Sequence, residues 1–446
     1  MSNKPNSTEL PPLPKGKEYE ELVAAYLQAT GRYYLDRNII QREIEEILEL
    51  DIIISDYNYL PRPKLIEIKS GGWGFPDIFK IRGWMDYTNI QKGFLIVQQT
   101  KDHINFIKRR AKTLNIEVHQ ASDPDKIETQ IGKLLKNVKP DWRDVVTFRY
   151  SYWLERNMLQ YLKNCKSKYR DVRCYIEADQ YHHRVNSGVF FSQSIIDKIN
   201  NLYVHFQKHD HLSARCGHEL MPPTEFTDVN HIPYPAFKKT FWACEFNMIQ
   251  VSALLEYQSR LAILKNVVDY IIYHTSVVKK SVDRKFGNLD DENGFDLLPR
   301  NCQNALGELG GHKCYKRYPI FWQWFILAFG GFIIEEIKER EYELLSEKTG
   351  VDIDEIDNAL SALDILFPTK DGWLFTHPTS RIRETSLFSM PFRGIGAYYR
   401  GLMYTDPKDE KASFKDIGLS NRAAVKDLTK WNNLAVKVIS NNHHID

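Results

Sequence analysis

The spacing of apolar positions divides the chain near Pro140 into an amino-terminal part that alternates helix and strand and a longer part that is nearly all helix. Tyr19, Leu22, Val23, Tyr26 and Leu27 recur at helical spacing and predict a helix over 17–30, stopped by Gly31. A strand over 33–40 follows, and the acidic stretch 41–49 reads as a connection. Two β-branched runs, 52–55 and 65–68, flank the turn residues Asn58, Pro61 and Pro63 and predict a hairpin. The glycine-dense segment 70–76 reverses the chain. Asp77 is placed to cap a helix reaching Tyr87, and 93–97 has the unbroken apolar run of a buried parallel strand, ending in Gln98 and Gln99. A helix over 101–114 and a strand over 116–119 complete a mixed sheet flanked by helices, an α/β domain over 15–138.

Around this domain the pattern changes. Residues 1–14, with Pro5, Pro11, Pro12 and Pro14, read as a flexible arm. Residues 139–314 form a helical domain, with helices expected over 142–166, 195–206 and within 235–274. The apolar window 320–334 is too short to span a bilayer and reads as a buried helix. Further helices are expected over 332–348 and, after the break at Gly350, over 352–366, where Ile353, Ile356, Leu360, Leu363 and Leu366 form one stripe. A tight turn over 368–372 then joins two short apolar runs. Helix, turn, helix, hairpin resembles a winged helix, giving a winged-helix-like domain over 315–404, and a helix over 421–439 closes a terminal segment, 405–446. The acidic residues Asp352, Asp354, Glu355, Asp357 and Asp364 on the second helix of the winged-helix-like domain would repel phosphates, which favours protein contact or a purely architectural role over groove reading.

Composition narrows the reading. Lysine and arginine, 60 together, nearly cancel 58 aspartates and glutamates, so no global basic field announces nucleic acid and any such contact is local. Six cysteines without a CxxC pair make no disulfide framework, and the first residues lack the apolar core of a signal peptide; a cytoplasmic location is the expectation. His209, His211, Cys216 and His218 crowd four borderline ligands together, but their spacing is a poor match to zinc sites and a polar loop accounts for them. His312 and Cys314 make a weaker pair still.

The chemistry-bearing stretch is the 48–69 hairpin. Strand alternation sends Glu67 and Lys69 to one side and Ile68 to the other, and closing the hairpin brings Asp51 beside Glu67. Two carboxylates with the Ile68 carbonyl suit a hard divalent cation, with positions left for water and phosphate. The same three side chains would also serve as an ordinary cross-strand ion pair.

Together with the helix carrying Lys15-Gly16-Lys17-Glu18-Tyr19-Glu20-Glu21-Leu22, this hairpin resembles the PD-(D/E)xK nuclease superfamily, closest to Mrr-like restriction endonucleases and archaeal Holliday-junction resolvases. About 120 residues are covered, and the aspartate stands before Ile52 without the proline of the family name. The resemblance implies a restriction-endonuclease-like fold, catalytic roles for Glu20, Asp51, Glu67 and Lys69, and Mg²⁺, or Mn²⁺ in its place, on Asp51, Glu67 and the Ile68 carbonyl. It also implies a DNA endonuclease of prokaryotic restriction or antiviral defence, without excluding RNA. Lys80 and Arg82 on the helix after the hairpin are placed for phosphodiester contact, and the basic cluster on the next helix, with Arg109 and Arg110, reads first as a solvated helix face and otherwise as the lining of a DNA cleft. Arg381, Arg383, Arg393 and Arg400, interleaved with Tyr398 and Tyr399, suit a phosphate backbone or a protein interface equally. Two other roles fit the length: an effector activated by a sensor or partner protein through 139–446, or an inactive nucleic-acid-binding regulator. A homodimer follows by analogy with paired restriction enzymes.

Overall fold

The computed structural model describes residues 13–42, 44–168, 173–188, 191, 194–208, 248–275, 294–366, 382–384, 390–405, 414 and 418–442. They fall into two compact units divided at 153/154, with residues 186–191 belonging to the first.

The first unit is built on a five-stranded sheet in the order β1-β2-β3-β4-β5. Helix α1 (Gly16–Gln28) leads into β1 (Tyr33–Arg42), with Gly31 in the left-handed region at the turn. β1 pairs antiparallel with β2 (Glu46–Asp56), which pairs antiparallel with β3 (Lys64–Lys69). Beyond β3 the sense changes: β4 (Gly93–Val97) and β5 (Ile116–Gln120) run parallel to it, reached through helices α2 (Phe75–Tyr87) and α3 (Ile104–Lys112). With strands 3-4-5 in sequence order, crossovers of one hand bring α2 and α3 to the same face. Ile78, Ile81 and Met85 of α2 and Ile107 and Ala111 of α3 pack there on Ile53, Leu65, Leu95, Val97, Ile116 and Val118. α1, which contacts β1 and β3 and contributes nothing to that cluster, covers the opposite face.

Three local expectations are corrected. The stretch 41–49 is mostly strand: β1 runs to Arg42 and β2 begins at Glu46, because Leu48 and Leu50 are inward positions of an alternating run. Asp77 is not the cap residue of α2. Gly74 occupies that position, and Asp77, inside the first turn, accepts its N–H at 2.7 Å. The third helix starts at Ile104, later than 101.

The second unit is helical, with the long helices Ile195–Lys208 and Met248–Tyr273 and the fully buried helix Tyr318–Leu327. That last helix ends before 334, because Gly330 and Gly331 turn left-handed and Phe332–Ile334 (β6) forms a strand. The helix expected from 332 accordingly begins at Lys338 and runs to Thr349, where Gly350 ends it; Ile356–Leu366 follows. β6 pairs antiparallel with β7 (Ile382–Glu384). The turn 368–372 and the run after it lie outside the described residues, as do His209, His211, Cys216, His218 and Arg381. Among the described residues no helix is long and apolar enough to cross a membrane.

Candidate metal and phosphate site

The site begins where backbone pairing between β2 and β3 stops. The ladder ends at Ile52↔Ile66. One step further, the Asp51 carboxylate takes over as acceptor and receives the Ile68 N–H at 2.8 Å. Glu67 and Lys69 share the α2 face of β3 with Leu65, as alternation requires. The Lys69 ammonium lies 2.7 Å from Glu67 Oε1, and the Lys80 ammonium approaches the same oxygen from α2 at 3.3 Å. Glu67 Oε2 is buried and has no hydrogen-bond partner. An unpartnered buried carboxylate oxygen costs on the order of 1–3 kcal/mol or more, which a bound ligand would recover.

Glu20 projects from α1 toward the same region. Its carboxylate is held by Lys17 at 2.9 Å, and Lys17 also reaches Glu49 at 2.6 Å. The electrostatics are those of crowded anions. Burial first, then the charges of Glu67 and Glu20, push the Asp51 carboxyl well above its usual range, and the Ile68 N–H and Lys17 pull it down only in part. Burial likewise raises Glu20, with Lys17 opposing and Glu49 and Glu67 adding to the rise. Burial pulls the Lys69 ammonium down, but its hydrogen bond to Glu67 and the charges of Glu67, Asp51 and Asp77 more than offset that, and the net shift is upward.

Do these residues fit a divalent cation? Among the described residues no three His, Cys, Asp or Glu side chains converge as a metal-ligating group. The donor set is smaller: two hard carboxylates, Asp51 and Glu67, with the Ile68 backbone between them. That number matches Mg²⁺, which is held by one or two carboxylates and completes its shell with water and phosphate. The partnerless Glu67 oxygen and the raised Asp51 carboxyl would both be relieved by an added positive charge. Glu20 is not part of that donor set while Lys17 holds it.

Other residues expected at a nucleic-acid surface divide sharply. Lys80 is engaged with Glu67 and lies over the Trp84 ring at 4.0 Å, so it belongs to the site itself. Arg82 is paired with Asp86 one turn along α2. Arg109 and Arg110 are exposed on α3. In the second unit, Arg383 is ion-paired with Glu335 at 3.0 Å and Asp357 at 3.3 Å, and Arg393 is half-buried. Arg400 is no surface contact at all. It is fully buried, its guanidinium donating to Glu341 and to the carbonyls of Phe329, Phe332 and Gly396. A side chain enclosed in this way holds its own unit together and cannot meet a phosphate.

Two participants went unread in the sequence, Lys17 and Glu49. Each carried a signal: Lys17 lies three positions before Glu20 on one helix face, and Glu49 two before Asp51 on one strand face. Gln98, just past the end of β4, is joined to the site by backbone: its N–H donates to the Lys69 carbonyl at 2.8 Å. Its side-chain amide donates to the Pro14 carbonyl at 3.0 Å. No protein-family model, curated protein or solved structure matches this chain.

Proposed function

We propose that the chain is a Mg²⁺-dependent endonuclease hydrolysing phosphodiester bonds of DNA, with the site of a PD-(D/E)xK enzyme. The observation that carries the reading is the meeting of Asp51, Glu67 and Lys69 where β2 and β3 part, with one buried Glu67 oxygen left unpartnered. Asp51, Glu67 and the Ile68 carbonyl would hold the cation, with Mn²⁺ an acceptable replacement. When bound, it would supply charge stabilisation at the phosphate and acidify a water.

The remaining work falls to the chain's own side chains. Lys69 keeps its ammonium charged through Glu67 and presents it at the half-buried end of β3, suited to balance negative charge gathering on the phosphate under attack. Lys80 adds a second positive charge on the same carboxylate and orients it. Glu20, with its carboxyl raised, is suited to accept a proton from water once Lys17 turns aside.

The experiment is cutting of circular DNA, double- and single-stranded, by the purified chain with Mg²⁺, with Mn²⁺ and with EDTA. Wild type is expected to cut with either metal and not with EDTA. Lys69→Ala is expected to cut on the order of 100–1000-fold more slowly. Equal cutting by wild type and Lys69→Ala would assign the activity to a contaminant and overturn the reading, as would an inactive wild type that binds no divalent cation.

A further inference from the structure

Lys69 closes β3 at the carboxyl end of the parallel strands, and the loops leaving that end are tied together. Trp73, after β3, donates its indole N–H to the Gln99 carbonyl, after β4, at 2.9 Å, and the Lys101 ammonium lies over its ring at 5.3 Å. From this junction α2 and α3 start side by side. Phe75 packs on Phe79 one turn along α2, with centroids 6.3 Å apart, and edge-on against Phe106 of α3, 6.0 Å away. Phe75 is partly buried, but Phe79 is 62% exposed and Phe106 45% exposed. Two large exposed rings, both packed against Phe75, make an apolar patch that is unusual unless something covers it.

The charges around the rings say what that is. α3 carries Lys108, Arg109, Arg110 and Lys112 and no acid. Among the described residues none of the four is ion-paired, and Arg110 lies over the Phe106 ring at 5.6 Å. Asp77 is occupied by the Gly74 N–H, leaving Asp102 as the exposed acid before α3. A second copy of the chain would bring this cationic helix against surfaces of a nearly neutral protein, with no acidic counterpart on the patch itself. An unpaired nucleotide strand offers both complements, base faces for rings and phosphates for cations. A duplex keeps its base faces stacked inside and would leave the rings without a partner.

We infer that Phe79 and Phe106, with the α3 cations beside them, bind unpaired nucleotides, so that single-stranded nucleic acid is the substrate class of the neighbouring site. The part about substrate rests on the nuclease reading; the part about binding does not. Fluorescence anisotropy of the full chain in EDTA, which prevents cutting, tests it with an oligothymidylate of about 16 nucleotides. An oligouridylate and a duplex of the same length are the other arms. Single strands are expected to bind more tightly than the duplex, and the two single strands tell DNA from RNA preference. Phe79→Ala and Phe106→Ala are each expected to weaken single-strand binding on the order of tenfold, by loss of base stacking, and to leave duplex binding unchanged. Phe79→Leu, which keeps an apolar side chain, is expected to behave like Phe79→Ala and guards against a folding defect.

Equal affinity for single strand and duplex, with the ring variants matching wild type, would overturn the inference. So would a ring variant that turns a dimer into a monomer in sedimentation without changing single-strand affinity, because a second copy would then be the cover. Metal-dependent cutting of duplex alone, indifferent to the rings, would sink this inference and leave the nuclease. Ring-dependent strand binding without cutting under any metal would do the reverse.

Discussion

Asp51 is buried where its own charge is unwelcome, facing Glu67 and Glu20, and its one backbone bond needs only an acceptor oxygen. Asparagine supplies that oxygen without the charge. The raised carboxyl fixes the sign of the pH effect. Stability tied to the neutral form of Asp51 is fully present below the ordinary aspartate range and is lost as pH rises toward the raised value. In EDTA, Asp51→Asn is therefore expected to melt higher than wild type, by a margin that widens with pH. Saturating Mg²⁺ should narrow or reverse the margin, since only wild type keeps both carboxylates for it, and cutting should be lost. Thermal melts across pH, with and without metal, check this; a margin independent of both would deny Asp51 the role. At this scale the convergence of Asp51, Glu67 and Lys69 was legible, because alternation sets Glu67 and Lys69 on one face of β3 and the closed hairpin brings Asp51 beside them. Lys17 and Lys80 were harder to read, since their partners are fixed by how a helix lies on the sheet. Arg400 was misread for a related reason: arginine beside tyrosines looks like a surface, and the Glu341 carboxylate on another helix, with the Phe329, Phe332 and Gly396 carbonyls, makes it a core residue.

At the level of elements, the sheet was readable wherever apolar runs were short and bounded by turn residues, and it failed where acid hid the alternation, as at Glu46 and Glu49 in β2. The region 332–348 failed differently: Phe332–Ile334 carries too few residues for a period, and its strand state depends on β7 some fifty residues later. What position along the chain could not reveal is how tightly α2 is seated. A side-chain carbon on Gly93, at the start of β4, would come 2.6 Å from the Met85 sulfur and 3.0 Å from an Ile81 methyl. The absence of a side chain there lets α2 lie close enough for Lys80 to reach Glu67. Gly93→Val is expected to destabilise the unit by about 1–3 kcal/mol through overpacking. By lifting α2 it should also weaken Mg²⁺ binding. Urea unfolding and calorimetric metal titration read the two effects separately; a stable variant with unchanged metal affinity would show that the close seating of α2 on Gly93 does not shape the site.

Over the whole molecule the formal charge is +2, so a nucleic acid feels no long-range pull from the chain and must be held by what it touches. That makes the salt dependence of binding a count of local contacts. The four unpaired cations of α3 are the available set beside Phe79 and Phe106. If three or four phosphates are neutralised there, the logarithm of single-strand affinity should fall against the logarithm of salt with a slope of about −2 to −3. Replacing Arg110 by alanine should make the slope shallower by about 0.7, whereas Phe79→Ala should lower affinity at every salt concentration and leave the slope alone, because stacking releases no counterions. Anisotropy titrations at several salt concentrations decide between this and a diffuse basic surface. A slope much steeper than −3, unaltered by Arg110→Ala, would move the nucleic-acid contact away from α3 altogether.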